Sequence, residues 1–181
     1  DTEVDLRISI LPTKHNERVV MRILSKEAGE KTLAELGFEK NDLAKLNRAI
    51  TSPQGMVIVT GPTGSGKTTT LYSILKTISN PSINILTAED PVEFEMEGIG
   101  QVAIREDINY TFDVALRSFL RQDPEVILIG EMRDKKTIDT ALKASLTGHL
   151  VFSTLHTNNA LGSIIRLLDM ETPNYLISSA L

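Results

Sequence analysis

The chain has no cysteine and no tryptophan in its 181 residues, and only three tyrosines and five phenylalanines. Without thiols there is no disulfide framework, thiolate zinc site or cysteine-ligated iron–sulfur cluster within these residues. None is needed for stability, since a chain of this length can bury about 70% of its unfolded surface. The missing thiols also fit a reducing compartment. Positive charge is short as well: 19 Lys and Arg against 24 Asp and Glu, a formal net charge of −5. The deficit lies after residue 52, where 15 acidic residues outnumber 10 basic ones. A broad nucleic-acid surface is therefore not expected. No basic segment precedes an apolar core, so no secretory signal is expected. The longest uncharged stretch, Ala144 to Ile165, runs 22 residues but carries ten Ser, Thr, His and Asn side chains. It is too polar for a bilayer span, and a soluble protein is expected.

What is present is a change of period along the chain. Val4, Leu6, Ile8 and Ile10 alternate with Asp5, Arg7 and Ser9, the pattern of a half-buried strand. Arg18 to Leu24 reads as a second strand, joined to the first as a hairpin with a six- or seven-residue connection. Ser25 to Lys31 is charged and suits a linker. A short helix is expected to begin near Asn41 or Asp42, both good N-caps, and to stop before Ser52-Pro53. The domain boundary falls between about residues 25 and 40. From Gly55 onward strands alternate with helices, as in a parallel sheet covered on both faces. Met56–Val59, Ile83–Leu86, Val126–Ile129 and Leu150–Phe152 are the expected strands. Leu71, Ile74, Leu75 and Ile78 mark one helix by their spacing, Phe112 to Leu120 a second and Ile138 to Ser145 a third.

Between the first of these strands and its helix stands Gly61-Pro62-Thr63-Gly64-Ser65-Gly66-Lys67-Thr68, a G-x-x-x-x-G-K-[ST] phosphate loop. Its glycines let backbone N–H groups curl around phosphate oxygens, and the helix start adds partial positive charge. Lys67 can reach the β- and γ-phosphates. The Thr68 hydroxyl can join a magnesium shell that keeps several waters. No N-K-x-D motif follows, so adenine is favoured over guanine.

Hydrolysis asks for carboxylates too. Glu89-Asp90-Pro91-Val92-Glu93 follows the second strand of the sheet, at the end where ligands bind in open α/β folds. Glu95 and Glu97 continue the run, so a solvated acidic loop is the competing reading. The third strand ends Ile129-Gly130-Glu131, with glycine where a Walker B aspartate is usual. Glu131 can support magnesium through water, or cap the next helix. Arg117, Arg121, Arg133, Arg7 and Arg22 are candidates for a clamp on the γ-phosphate. Arg117 can equally pair with Asp113 four residues earlier. His149 and His156 bracket the fourth strand at a spacing wrong for the usual zinc pairs. They read either as core or capping residues or as sensors of nucleotide state.

These segments together resemble the extension-type motor ATPases of type II secretion and type IV pilus assembly. The match rests on four ordered boxes: GPTGSGKTTT (which extends the loop through Thr69 and Thr70), ILTAEDPVEFE, LRQDPEVILIGEMRD and SLTGHLVFSTLHTNN. DLRISILPTKHNERVVMRIL resembles the end of that family's N-terminal α/β domain. The resemblance implies a RecA-like P-loop core with a mostly parallel sheet over residues 41–181, a linker at 26–40 and the domain end at 1–25. It implies that Glu93 polarises the attacking water, that Glu131 supports magnesium together with Thr68, and that Gly130 is the family's own form of Walker B. The five arginines then act around the γ-phosphate or between subunits, and the two histidines couple nucleotide state to domain movement. ATP and magnesium are the implied cofactors. The implied assembly is a cytoplasmic homo-hexamer, peripheral to the inner membrane, driving a platform protein that adds or removes pilin subunits. The family's tetracysteine zinc module is expected after residue 181, outside this chain. Two other classes stay in view: a nucleic-acid translocase on a similar core, and an interaction module that binds nucleotide without turnover.

Overall fold

A computed structural model describes residues 5–24 and 31–181. Part of the expected linker, residues 25–30, therefore lies outside the described residues. The centre is a five-stranded sheet made of β3 (Gly55–Thr60), β4 (Ile85–Glu89), β5 (Gly100–Ala103), β6 (Val126–Ile129) and β7 (Leu150–Leu155). The strand order is β3-β7-β6-β4-β5, and every pairing is parallel. Strands paired this way need long crossovers, and the helices that make them cover both faces.

The central strand shows why its sequence is apolar without a break. All four residues of β6 are buried. Val126 and Leu128 pack into one cluster with Leu71, Ile74 and Leu75 of α2 (Lys67–Ile78) and Ile50 of α1 (Lys40–Ile50). Ile127 and Ile129 face the other way. They join Leu116 and Phe119 of α3 (Phe112–Phe119), Ile138 and Leu142 of α4 (Lys135–Leu146), Leu167 of α5 (Ala160–Asp169) and Leu176 of α6 (Asn174–Ala180). Successive side chains of a strand point to opposite faces, so a strand between two helical layers is buried on both and reads as an unbroken apolar run.

Local chemistry starts the helices where the chain leaves the sheet. The Asp134 carboxylate accepts the Thr137 N–H at 3.0 Å and caps α4. The Asn159 side chain accepts the Gly162 N–H at 2.7 Å and caps α5. Such caps satisfy N–H groups that have no helical partner. No helix among the described residues is long and apolar enough to cross a membrane.

The structure departs from the sequence reading in several places: α1 starts at Lys40 with Glu39 as its N-cap rather than Asn41 or Asp42, and β4 runs Ile85–Glu89 rather than Ile83–Leu86. The short edge strand β5 and the helices α5 and α6 were not expected. Four residues, GQVA, are too few to show a period. The hairpin strands β1 (Asp5–Pro12) and β2 (Glu17–Leu24) are longer and their turn, Thr13–Asn16, shorter than expected. The hairpin is also not half-buried: Leu6, Ile8 and Ile10 stand opposite Ile23, Met21 and Val19, and all six are 49–67% exposed. Alternation identifies a face suited to burial but supplies nothing to cover it, and nothing among the described residues does so. Finally, residues 31–36 are docked rather than loose. The Ser73 hydroxyl of α2 donates to the Lys31 carbonyl at 2.7 Å, and Leu33 is buried in the α1–α2 cluster.

Phe152 of β7 is fully buried between the sheet and α2. Phe152→Ala should lower stability by about 3–5 kcal/mol through lost contacts and a residual cavity, read as a drop in the urea midpoint.

Candidate functional site

Because all five strands run the same way, their carboxyl ends form one rim of the sheet. Ligands of open α/β sheets bind at that rim. The exits of β3, β4, β6 and β7 line a single cavity of about 400 Å³. It brings together Lys67, Thr68 and Thr69 from the phosphate loop, Asp90 and Glu93 after β4, Glu131 after β6, and Thr154 and His156 at the end of β7.

The loop after β3 folds as its glycines require. Gly61, Gly64 and Gly66 have φ of 145°, 80° and 90°, a region that disfavours side chains. At Gly61 a Cβ would also collide with the Ser65 hydroxyl. Gly66 is the N-cap of α2 and offers no side chain, so the N–H groups of Lys67, Thr68 and Thr69 are left for a ligand. The helix dipole adds positive charge at the same point. The Lys67 ammonium arches back over the loop and donates to the carbonyls of Gly61 at 2.9 Å and Pro62 at 3.0 Å.

The three acids at the end of β4 and just beyond it have different surroundings. Glu89 is 4% exposed, and its carboxylate accepts hydrogen bonds from the hydroxyls of Tyr72 and Thr87 and, at 3.3 Å, from Gln101 Nε2. Asp90, joined to Pro91 by a cis peptide bond, lies 3.4 Å from Arg133. Glu93 uses its backbone N–H to donate to the Tyr72 oxygen at 3.2 Å. Among the described residues no hydrogen bond or ion pair engages its carboxylate. Burial, followed by the bond to Glu89, pushes the Tyr72 hydroxyl pKa well above its ordinary value. The Tyr72 hydroxyl is thus neutral at physiological pH and serves as a fixed donor.

At the end of β6 the glycine before Glu131 has a steric reason. The Gly130 N–H donates to the Ala88 carbonyl at 2.8 Å, and its own carbonyl accepts the Thr154 hydroxyl at 2.6 Å. A Cβ there would sit 3.3 Å from the Ala88 oxygen and 3.5 Å from Glu89 Cα. An aspartate is therefore crowded at 130, and the carboxylate stands one residue later. The Glu131 side chain is only 19% exposed, ion-paired with Arg133, and has His156 Nε2 3.5 Å away. It does not cap α4, since Asp134 does. Arg133 also reaches Glu106 at 3.7 Å, and Glu131 beside it strengthens its hold on its proton. One guanidinium thus links the exits of β4 and β6.

The donors suit magnesium better than a protein-built metal cage. No group of three or more His, Cys, Asp or Glu among the described residues could hold a metal. Thr68 and Glu131 nonetheless line the same cavity, which fits a cation held by one or two protein groups, water and phosphate oxygens.

The remaining candidates lie elsewhere. Arg117 pairs with Asp113 at 3.0 Å on the surface of α3. Arg121 donates to the Arg117 carbonyl at 2.9 Å and the Ser118 hydroxyl at 3.3 Å. Arg7 and Arg22 stand directly opposite each other in the hairpin. His149 precedes β7 with Nδ1 3.2 Å from the Ala144 carbonyl, so a whole strand separates it from His156 and the cavity. Tyr72, Thr87 and Gln101 were missed in the sequence. The one available signal was a tyrosine beside the apolar stripe of α2.

The family model described as "Type II/IV secretion system protein" matches residues 1–181. The chain is 54% identical over 179 residues to the type IV pilus assembly ATPase PilB of Myxococcus xanthus, covering 99% of this chain and 32% of that protein. It is 51% identical over 179 residues to type II secretion system protein E of Pseudomonas aeruginosa, covering 99% and 36%. The crystal structure of the pilus retraction motor PilT with bound ADP superposes with a TM-score of 0.81 at 38% identity, over 94% of this chain and 49% of that one. The chain spans about a third of the length of the curated relatives it matches. Its α/β core is RecA-like, as in the secretion ATPases it resembles. The chain belongs to the type II/IV secretion system protein family.

Proposed function

We propose that this chain is the nucleotide-binding core of a motor ATPase that hydrolyses ATP to ADP and phosphate. The observation that carries the reading is the single cavity lined by Lys67, Thr68, Glu93 and Glu131. In this reading the loop N–H groups and Lys67 bind the β- and γ-phosphates. Thr68, with Glu131 acting through water, holds magnesium, which when bound neutralises charge on the phosphate oxygens. Glu93, whose carboxylate no described residue engages, orients and polarises the attacking water. Arg133 keeps Glu131 and Asp90 in register. His156, beside Glu131, senses the nucleotide. Arg7, Arg22, Arg117 and Arg121 reach a γ-phosphate only across a domain or subunit boundary, and His149 acts away from the cavity.

The names of the relatives support a wider role. The full protein, in this reading, is a homo-hexamer on the cytoplasmic side of the inner membrane. It drives a platform protein that assembles pilin or pseudopilin subunits. Residues 1–25 are the end of a separate N-terminal domain, 26–40 the connection and 41–181 the motor core, with the zinc module encoded beyond residue 181.

Two variants of the full-length protein test the reading. Lys67→Ala should abolish detectable binding of a fluorescent ATP analogue. Glu93→Gln should keep that binding within about twofold while steady-state phosphate release falls about 100-fold or more, the range for losing a general base. Normal turnover by Glu93→Gln would remove Glu93 from the mechanism.

A further inference from the structure

The network around Glu89 uses polar groups that the reaction does not, and it ends at the backbone of Glu93. We propose that Tyr72 is a positioning residue for hydrolysis, clamping the loop that bears Glu93 onto the helix that bears Lys67 and Thr68. The proposal rests on the reading of Glu93 as the residue that polarises the attacking water.

Tyr72 lies in the second turn of α2, is 1% exposed and touches the loop in two ways. Its hydroxyl donates to the Glu89 carboxylate, which orients its lone pairs toward the Glu93 N–H at 3.2 Å. Its ring meets Phe94 edge to face, with centroids 4.3 Å apart and planes at 89°. Such an aromatic pair adds about 0.5–1.5 kcal/mol beyond its buried area. Residues 93 and 94 are thus held on successive sides by one rigid side chain. Because Lys67 and Thr68 sit one turn earlier on the same helix, the phosphate-binding groups and Glu93 share a frame.

A second brace comes from the edge strand. Gln101 of β5 donates to the Phe94 carbonyl at 3.1 Å and to Glu89 at 3.3 Å, while its own oxygen accepts the Met96 N–H at 2.7 Å. Thr87 donates to the same Glu89 oxygen as Gln101. A buried carboxylate with three donors has both oxygens hydrogen-bonded, and a satisfied buried network fixes one arrangement. The three acids of this segment therefore divide their work. Glu89 anchors the loop, Asp90 meets Arg133, and Glu93 has a carboxylate that no described residue engages, at the edge of the cavity. A displacement near 1 Å in a catalytic group can cost about a hundredfold in rate, which sets the scale of what the clamp protects.

The test is a mutant cycle in the full-length protein, read by single-turnover phosphate release and by binding of a fluorescent ATP analogue. Tyr72→Phe keeps the ring and removes the hydroxyl. It should lower the rate about 10- to 100-fold, leave nucleotide affinity within about twofold, and cause no further loss in a Glu93→Gln background. A purely structural role gives a different pattern, with affinity and rate falling together or the losses multiplying. An unchanged rate, a parallel loss of affinity, or losses that multiply with Glu93→Gln would each overturn the proposal. Full activity of Glu93→Gln alone would instead overturn the role of Glu93. Should Tyr72→Phe unfold, Gln101→Leu cuts the second brace without touching α2. It must then show the same loss of rate alone, absent in the Glu93→Gln background.

Discussion

Everything at the site depends on the parallel hydrogen bonding of β6 between β7 and β4. Parallel pairing forces each strand to leave the sheet at the same rim, so four separate exits meet there without any contact between them in sequence. The phosphate loop, the acidic segment, Gly130-Glu131 and Thr154–His156 are neighbours for that reason alone. The same pairing brings the exits of β4 and β6 close enough that residue 130 has little room for a side chain. A side chain is crowded there, and the acid stands at 131, paired with Arg133 and 3.5 Å from His156.

Polar groups at the rim are placed at two depths. The deeper layer, Glu89 with Tyr72, Thr87 and Gln101, is buried or half-buried and internally satisfied. An unpaired charge at that depth would be costly, so the layer behaves as structure. The outer layer, Asp90, Glu93 and Glu131, with Arg133 paired to two of them, is half-buried or exposed, within reach of water. Carboxylates only a few residues apart in the chain thus have unequal chemistry because they lie at unequal depth.

The phosphate loop was legible because its function is local. In the proposed function its glycines, Lys67 and Thr68 act through backbone conformation and a helix start, both encoded within eight residues. The parallel core was legible for a related reason: unbroken apolar runs such as Val126–Ile129 occur where both faces are covered. Tyr72 and Gln101 were not legible. Their partners stand 17 and 12 residues away at Glu89, on other elements, and no spacing rule joins them. The hairpin shows the opposite failure, since its alternation is clear while its apolar face stays uncovered among the described residues.

By itself, then, the sequence determined the phosphate-loop motif, the direction of the sheet and the family, because these rest on short motifs and periods that each segment carries alone. The tertiary structure decided which of many charged residues share the cavity. It put His156 in and His149 at the far end of the same strand, left Arg117 with Asp113, and gave Arg133 to Glu131 and Asp90. Those assignments depend on which strand ends are adjacent and on how deeply each group is buried. Adjacency and depth are properties of the packed sheet that no single segment contains.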